Sequence, residues 1–343
     1  IRVIRMSINI AVVGATGNVG REMLNILSDK NYDAKNIFAV ASERSAGSTV
    51  EYGNTELTVE AIDNFDISKV QIALFSAGSD VSKEWAPKFG EKNCVVIDNS
   101  SQFRMDDDIP LIVPEVNPEA IQNFKNKNII ANPNCSTIQL VVALKPLHEI
   151  SKIKKVIVST YQSVSGAGKA AMDELFDQTK NMFSDEIKEN INFTKPIAFN
   201  VIPHIGDFVD DGYTKEEIKM REETNKILDK DIQFSATCVR VPVFIGHAEA
   251  VNVEFENKVS VDEARNAIKN ASGCSLLDER KDGGYVTPKE CAGNDDTYVS
   301  RIREDSAISN ALSLWVVSDN LRKGAALNTI QIAEILMEKH LNQ

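Results

Sequence analysis

Basic residues are scarce in this chain. Lys and Arg number 38 against 50 Asp and Glu, a formal net charge of -12. Neutralising phosphates needs a basic face, so nucleic acid is excluded as a main partner. An anionic substrate would have to be met by a local cluster of Arg and Lys working against the overall field. No run of about 18 apolar residues occurs, so no membrane span is expected. The opening segment, IRVIRMSINIAVVGATG, lacks a long apolar core followed by a small-residue cleavage site and does not read as a signal peptide. Met6 reads as the natural start, with residues 1–5 an upstream addition. Cysteine is sparse and unpaired in pattern: five residues, at 94, 135, 238, 274 and 291, widely spaced and with no CxxC. That argues against a disulfide framework or a zinc site and suits a reducing cytoplasm. Histidine is rarer still, at four, so few side chains can exchange protons near neutral pH. Internal repeats, low-complexity tracts and Pro/Ser-rich linkers are absent.

What is present is an ordinary globular composition, 43% hydrophobic and 26% charged, over 343 residues. That length suits two domains. INIAVV (8–13), NIFAVAS (36–42), VQIALFSAG (70–78), NCVVIDNSS and KNIIANPN read as short buried strands. Helical segments lie between them, among them REMLNILSDK, which places Met23, Leu24 and Leu27 on one face, and SDVSKEWAPKFG. Strands alternating with helices predict a parallel, doubly wound α/β sheet over residues 1–132. From about 145 the pattern changes to the longer alternating strands KKVIVSTYQSV, SATCVRVPVFIG and HAEAVNVEFE, which predict an α+β second domain with a mixed sheet over 133–321. The tail, about 322–343, has helical periodicity and is expected to pack back on the first domain.

Gly14, Gly17 and Gly20 form GxxGxxG between the first strand and the first helix. Glycines there permit a tight turn and close backbone approach, and the helix N-terminus then faces a pyrophosphate, the Rossmann-like dinucleotide arrangement. The second strand ends in SERSAGS rather than in a lone acid. Arg44 and Ser45 suit a ribose 2′-phosphate, hence NADP, whereas Glu43 pointing inward would favour NAD.

Cys94 and Cys238 sit in apolar strand patterns and read as buried structural thiols. Cys135 differs, standing between ANPN and the apolar helical run STIQLVVAL, where Asn134 or Ser136 is a cap candidate. A thiol in a first helical turn feels the positive helix end, which lowers its pKa and raises its thiolate fraction at neutral pH. The alternative is a small core residue. As a proton-transfer partner, His247 is better placed than His148, His204 or His340, since it follows a strand and a glycine, with Glu249 two residues on. Arg240 stands seven residues before His247 in an apolar strand and needs an anionic partner, either a ligand or an internal ion pair. On one straight strand the two would face opposite ways, so Gly246 must bend the chain if both line one pocket.

Several longer stretches coincide with these points: GATGNVGREML, FSAGSDVSKEWAPKF, VIDNSSQFRMD, VPEVNPEAI, ANPNCSTIQ, STYQSVSGAGKAAMDEL, GYTKEEIKMREETNKIL, CVRVPVFIGHAEAVNVEF and SDNLRKGAALNTIQIAE. Together they span nearly the whole chain, and in them it resembles the aspartate-β-semialdehyde dehydrogenase family. The resemblance implies a homodimer whose second domain is catalytic and dimerising. It implies reversible NADP-dependent oxidation of aspartate semialdehyde to aspartyl phosphate with inorganic phosphate. Biosynthetic flux toward lysine, methionine, threonine and diaminopimelate would run in reverse. Cys135 would attack the aldehyde carbon and carry the thioester, with His247 taking and returning the proton and Gln162 positioning the substrate. Arg240 would grip the α-carboxylate, and Glu216 or its neighbour Glu217 would meet the α-ammonium. Lys219, Arg104 and Asn134 would receive phosphate. Gly14, Thr16, Gly17, Asn18, Val19, Arg44, Ser45, Ser76, Gly78, Ser165, Gly166 and Asn320 would contact the cofactor. The rival readings are a reductase of another acyl phosphate, such as N-acetylglutamyl phosphate, a non-catalytic NADP-binding sensor, and a cysteine hydrolase.

Overall fold

The computed structural model describes residues 8–182 and 191–341. Residues 1–7, including Met6, and the last two residues of the C-terminal segment lie outside that set. The chain divides into two compact units, Ile1–Asn134 with Ala325–Gln343, and Cys135–Gly324. The units change at Asn134/Cys135, two residues beyond the boundary read from the sequence, because the loop ANPN completes the last strand of the first unit and the helix of the second starts on the cysteine.

The first unit is built on a seven-stranded sheet. Its strands are β1 (Ile10–Val13), β2 (Ile37–Ala41), β3 (Thr49–Tyr52), β4 (Thr55–Ala61), β5 (Ile72–Phe75), β6 (Val95–Asp98) and β7 (Ile129–Ala131), in the order β3-β4-β2-β1-β5-β6-β7. All pairings are parallel except β3 with β4, a hairpin at the edge. That hairpin escapes the apolar-run criterion because TVEY and TELTVEA bury only alternate residues. β1 is buried throughout, as a central parallel strand covered on both faces must be. Helix α1 (Asn18–Asp29) buries Met23, Leu24 and Leu27, each worth about 1.5–3 kcal/mol. Helix α2 (Ser79–Glu91) follows β5. Ile330, Ile332, Ala333, Leu336 and Met337 of the C-terminal segment enter the same core as α1.

The second unit carries helix α3 (Cys135–Ile150), then β8 (Ile153–Gln162), α4 (Lys169–Asn181), α5 (Lys215–Ile227), β9 (Gln233–Arg240), β10 (His247–Phe255) and α6 (Val261–Asn270). β11 (Cys274–Leu276), the short α7 (Pro288–Cys291), β12 (Thr297–Glu304) and β13 (Ala311–Ser318) complete it. The final helix, α8 (Leu327–Lys339), belongs to the first unit. The sheet order is β11-β12-β13-β10-β8-β9, with β8–β9 and β11–β12 parallel and the central pairings antiparallel. α3 is apolar nearly all round, and Leu140, Ala143, Leu144 and Leu147 pack with Val251, Val253 and Phe255 of β10. A helix of that composition has to be buried.

β9 ends at Arg240 and β10 begins at His247, each flanking β8 on a different side. The two residues therefore do not share a strand. The chain leaves the sheet over residues 241–246 and re-enters beyond β8, so the parity argument does not apply. Gly246 has φ +94°, and a side chain there would meet the Pro288 carbonyl at 2.8 Å.

Candidate active site

Strand register assembles the site. β13 sets Ser318 opposite His247, and β9 sets Arg240 opposite Gln162. The β8–β10 pairing of Ala248 with Tyr161 brings His247 into line with Gln162. Four adjacent strands thus present Ser318, His247, Gln162 and Arg240 as one row across the sheet. All four side chains are buried.

His247 is wholly enclosed, at 0% exposure. The Ser163 backbone N–H donates to its Nδ1 at 3.0 Å, and Ser163 Oγ lies 3.1 Å from the same atom. A neutral imidazole whose Nδ1 accepts carries its proton on Nε2. Nε2 has no hydrogen-bond partner among the described residues. Burial, and next the Arg240 charge, push the His247 pKa down to about 3, with Glu216 opposing. The ring is neutral throughout the working range. We expect its carbon-bound ring protons to show no titration between about pH 5 and 8 in NMR spectra, and a midpoint near 6.5 would refute this. The unfolded state takes up the proton below about pH 6.5 and the native state does not. This stabilisation is therefore complete above that pH and lost on acidification toward 3, at roughly 1.4 kcal/mol per pH unit.

Gly166 shows where the row opens. A Cβ there would lie 3.4 Å from His247 Nε2 and 3.4 Å from Arg240 Nη1. The two groups converge on a space that the missing side chain leaves clear. Arg240 is 7% exposed and donates from Nη1 to the Ser163 carbonyl at 2.6 Å. Burial lowers its pKa while Glu216 and Cys135 act to raise it. Gln162 accepts from Thr160 Oγ1 at 3.0 Å and donates to Glu216 Oε1 at 3.1 Å. Lys219 Nζ is 3.4 Å from the other Glu216 oxygen. Glu217 is occupied elsewhere. It closes the capping box with Thr214 and accepts from the Cys238 amide at 3.0 Å. Of the two adjacent glutamates, Glu216 is the one in the row's network.

Cys135 is the first residue of α3 and partly exposed. Behind it lies Gly324, in a π-helical turn over Arg322–Ala326; a Cβ at 324 would stand 2.9 Å from Cys135 Cβ. Burial pushes the Cys94 and Cys291 thiols up to about 12 and raises Cys238 as well. Asn320 is buried beside Ser163, Ser165 and Gly246. Its Oδ1 accepts from Gly246 N at 2.9 Å and Ser163 Oγ at 3.0 Å, and Ser165 Oγ bonds the same side chain. Of the other histidines, His148 accepts from the Ile153 amide, His204 stacks on Phe208 and His340 meets Phe124 edge-on.

In the first unit the glycine turn divides its labour. Gly14 has φ +88°, and a Cβ there would clash with the Ser76 carbonyl, while a Cβ on Gly20 would clash with the Gly14 carbonyl. These two close the turn. Gly17 is exposed at the start of α1, with Thr16, Asn18 and Val19 partly exposed around it. That open turn at a helix N-terminus fits a pyrophosphate. Ser76 and Gly78 follow β5, and Gly78 precedes α2 with φ +89°. Glu43, Arg44 and Ser45 form one exposed to half-exposed 3-10 turn after β2. Arg104 is buried, donating from Nε to the Asn132 carbonyl at 3.0 Å and from Nη2 to the Asn99 carbonyl at 2.8 Å. Asn132 is held in turn by Asn99 and Asn328. Asn134 is buried in the loop beyond β7.

Comparison with known proteins bears on both units. A family model described as semialdehyde dehydrogenase, NAD binding domain, matches residues 9–124, and one described as semialdehyde dehydrogenase, dimerisation domain, matches 144–323. The chain is 53% identical, over 97% of its length and 98% of the relative's, to an aspartate-semialdehyde dehydrogenase of Rickettsia bellii. The chain belongs to the aspartate-semialdehyde dehydrogenase family. A crystal structure of aspartate semialdehyde dehydrogenase II from Vibrio cholerae, complexed with ASA, shares its fold with a TM-score of 0.94 at 48% identity, covering 97% of this chain and 99% of that one. The Candida albicans enzyme with NADP aligns at TM-score 0.74 and 27% identity, covering 96% and 98%.

Some residues around the family's motifs were not legible from spacing. Ser163 holds the imidazole through a backbone N–H, which no side-chain pattern reveals. Asn99, Asn132 and Asn328 are separated by up to 229 positions and meet only through sheet order and the returning helix. Gly324 was detectable only as a glycine beside a helix start.

Proposed function

We propose that the protein is an aspartate-semialdehyde dehydrogenase that oxidises L-aspartate 4-semialdehyde reversibly to L-aspartyl 4-phosphate with NADP and inorganic phosphate. The observation that carries the reading is the row of a neutral, Nε2-protonated His247, Gln162 and Arg240, in the same unit as a cysteine at a helix start. An aldehyde cannot release hydride until a nucleophile has made it tetrahedral, and a thiolate does this without a metal.

Cys135 Sγ adds to the aldehyde carbon, and the carbonyl electron pair moves to oxygen. His247 meets that oxygen as a donor from Nε2; it takes up a proton there only if the Ser163 bond to Nδ1 is released. The nicotinamide, when bound, supplies the acceptor for the hydride that leaves this carbon. Cys135 then holds an acyl thioester, a phosphate oxygen attacks the acyl carbon, and the C–S bond breaks to return the thiolate. Arg240 grips the α-carboxylate, Glu216 meets the α-ammonium, and Gln162 keeps Glu216 oriented. Lys219 serves the phosphate, and Arg104 and Asn134 are assigned the same role on the family resemblance. The turn from Gly14 to Val19, with Ser76 and Gly78, would hold the dinucleotide, as would Ser165 and Gly166. Asn320 acts by supporting Ser163 and Ser165. The matched dimerisation domain supports a homodimer. Free thiols suit a cytoplasmic setting, and amino-acid biosynthesis, including lysine, methionine and threonine, gives the reductive direction its use.

The test is absorbance at the NADPH band with aspartate semialdehyde, phosphate and NADP⁺. A folded protein that gives no phosphate-dependent signal overturns the proposal, and a stronger signal with N-acetylglutamate semialdehyde reassigns the substrate. For the cofactor, Arg44→Ala should lower the preference for NADP over NAD by roughly 10-fold or more, the loss of one charge-assisted contact to the 2′-phosphate. An unchanged ratio of the two kcat/KM values would remove Arg44 from that role.

A further inference from the structure

Directly beneath the reactive row lies a second one. The register that aligns His247 with Gln162 and Arg240 sets Glu249 between Val316 of β13 and Thr160 of β8, with Cys238 of β9 beyond. Glu249 is on the same face of β10 as His247, two residues on, and is 0% exposed. Gln139 of α3 is one helical turn from Cys135, an i,i+4 neighbour on the same face, and is equally buried. Both oxygens of Glu249, and both the oxygen and the nitrogen of Gln139, have no hydrogen-bond partner among the described residues. Four buried polar atoms without partners among the described residues, on two side chains close enough for Gln139 to act on Glu249, demand an account.

Donor counting supplies it. A protonated carboxyl offers one O–H and one carbonyl oxygen, and an amide offers N–H and one carbonyl oxygen. Facing each other they make two reciprocal bonds and give all four atoms a partner. The terminal torsions of both side chains are soft, so such a pair closes without moving the backbone. A carboxylate would leave the Gln139 oxygen without a donor and a charge without a counter-ion. Facing Glu249 are Cys238 from β9, uncharged Thr160 and Val316 from β8 and β13, Gln139 from α3, and neutral His247 on its own strand. Among the described residues no cation acts on Glu249. Burial accordingly holds the carboxyl well above the usual carboxylate range, opposed only by Gln139 among the described residues.

We infer that Glu249 and Gln139 form a neutral acid–amide pair that joins the first turns of α3 to β10 one layer below Cys135 and His247, as positioning residues for both. The inference rests on the proposed roles of Cys135 and His247. Neutrality matters because a carboxylate at this depth would oppose the thiolate above it.

The experiment is proton linkage. Wild type and E249Q are unfolded in urea at equal protein concentration from pH 5.5 to 8.5. Unfolded Glu249 ionises near its ordinary pKa of 4.5. If the native state keeps the proton, the folding constant of wild type relative to E249Q falls about tenfold per pH unit. A ratio flat with pH shows an ionised native carboxyl and overturns the inference. Should E249Q fail to fold, Glu249→Leu is the reference, with the same two outcomes. Positioning is tested by exchange. Q139E alone, with two acids facing, should lose at least about 100-fold in kcat, and Q139E with E249Q should regain most of it. No recovery in a folded double variant overturns the positioning role. The linkage needs no turnover, so its failure leaves the thioester reading standing, and failure of that reading leaves the linkage intact.

Discussion

Replacing Cys135 by serine should abolish turnover, by about 10⁴-fold or more in kcat, while NADPH binding measured by fluorescence titration stays within a few-fold of wild type. The magnitude follows from what the residue must do. An unperturbed thiol is a few per cent ionised at pH 7 and its thiolate is strongly nucleophilic. A serine hydroxyl at a helix start has no comparable anionic fraction. The neutral His247, with its proton on Nε2, is set to donate rather than to activate a hydroxyl. Serine is nearly isosteric, so the fold and the glycine turn of the other unit should be unaffected. Wild-type alkylation gives an independent reading. Cys94, Cys238 and Cys291 are buried with raised pKa values, which leaves Cys135 and the partly exposed Cys274; of these two, the thiol whose modification tracks loss of activity should be Cys135. Turnover of the serine variant within tenfold of wild type would exclude covalent catalysis through this residue.

Arg240→Lys should lower kcat/KM for the semialdehyde by roughly 10²–10³-fold, about 2.7–4 kcal/mol, the scale of losing one or two charge-assisted hydrogen bonds. Charge is kept in this variant and the planar fork is lost. The guanidinium is held by the Ser163 carbonyl through Nη1, which sets the plane it presents. An ammonium on a flexible stem cannot both keep that bond and meet a carboxylate with two parallel donors. Arg240→Ala adds a second effect. The Arg240 charge is the second cause of the low His247 pKa, after burial. Its removal should raise that pKa, which the lysine variant should not do. A lysine variant with wild-type kcat/KM would exclude bidentate carboxylate recognition, and the internal partner Glu216 would then be its whole role.

Much of this was legible in local sequence. Buried parallel strands announce themselves as short apolar runs, so β1, β2, β5, β6 and β7 were all placed from composition. The glycine turn was legible because its rule is short-range: Gly14 and Gly20 are required by backbone atoms within a few residues or on the next strand. The edge hairpin β3–β4 was not, since a half-exposed strand carries no apolar run. Spacing alone left Arg240 and His247 open, with a bend required if both line one pocket. Seven residues on one strand put them on opposite faces, but the chain turns out of the sheet between them.

The two-part organisation, the strand–glycine–helix start and the identities of the reactive candidates are readable from the amino-acid order, because each is written in residue types a few positions apart. Which of them meet is set by the folded chain. Glu216 and Glu217 are chemically identical neighbours, and the capping box claims the second and leaves the first for Gln162. His247 is neutral because strand pairing buries it beside Arg240 and a backbone amide occupies Nδ1. Charge state and tautomer depend on burial and on partners 84 residues away, and register between strands, which no local pattern encodes, is what supplies them.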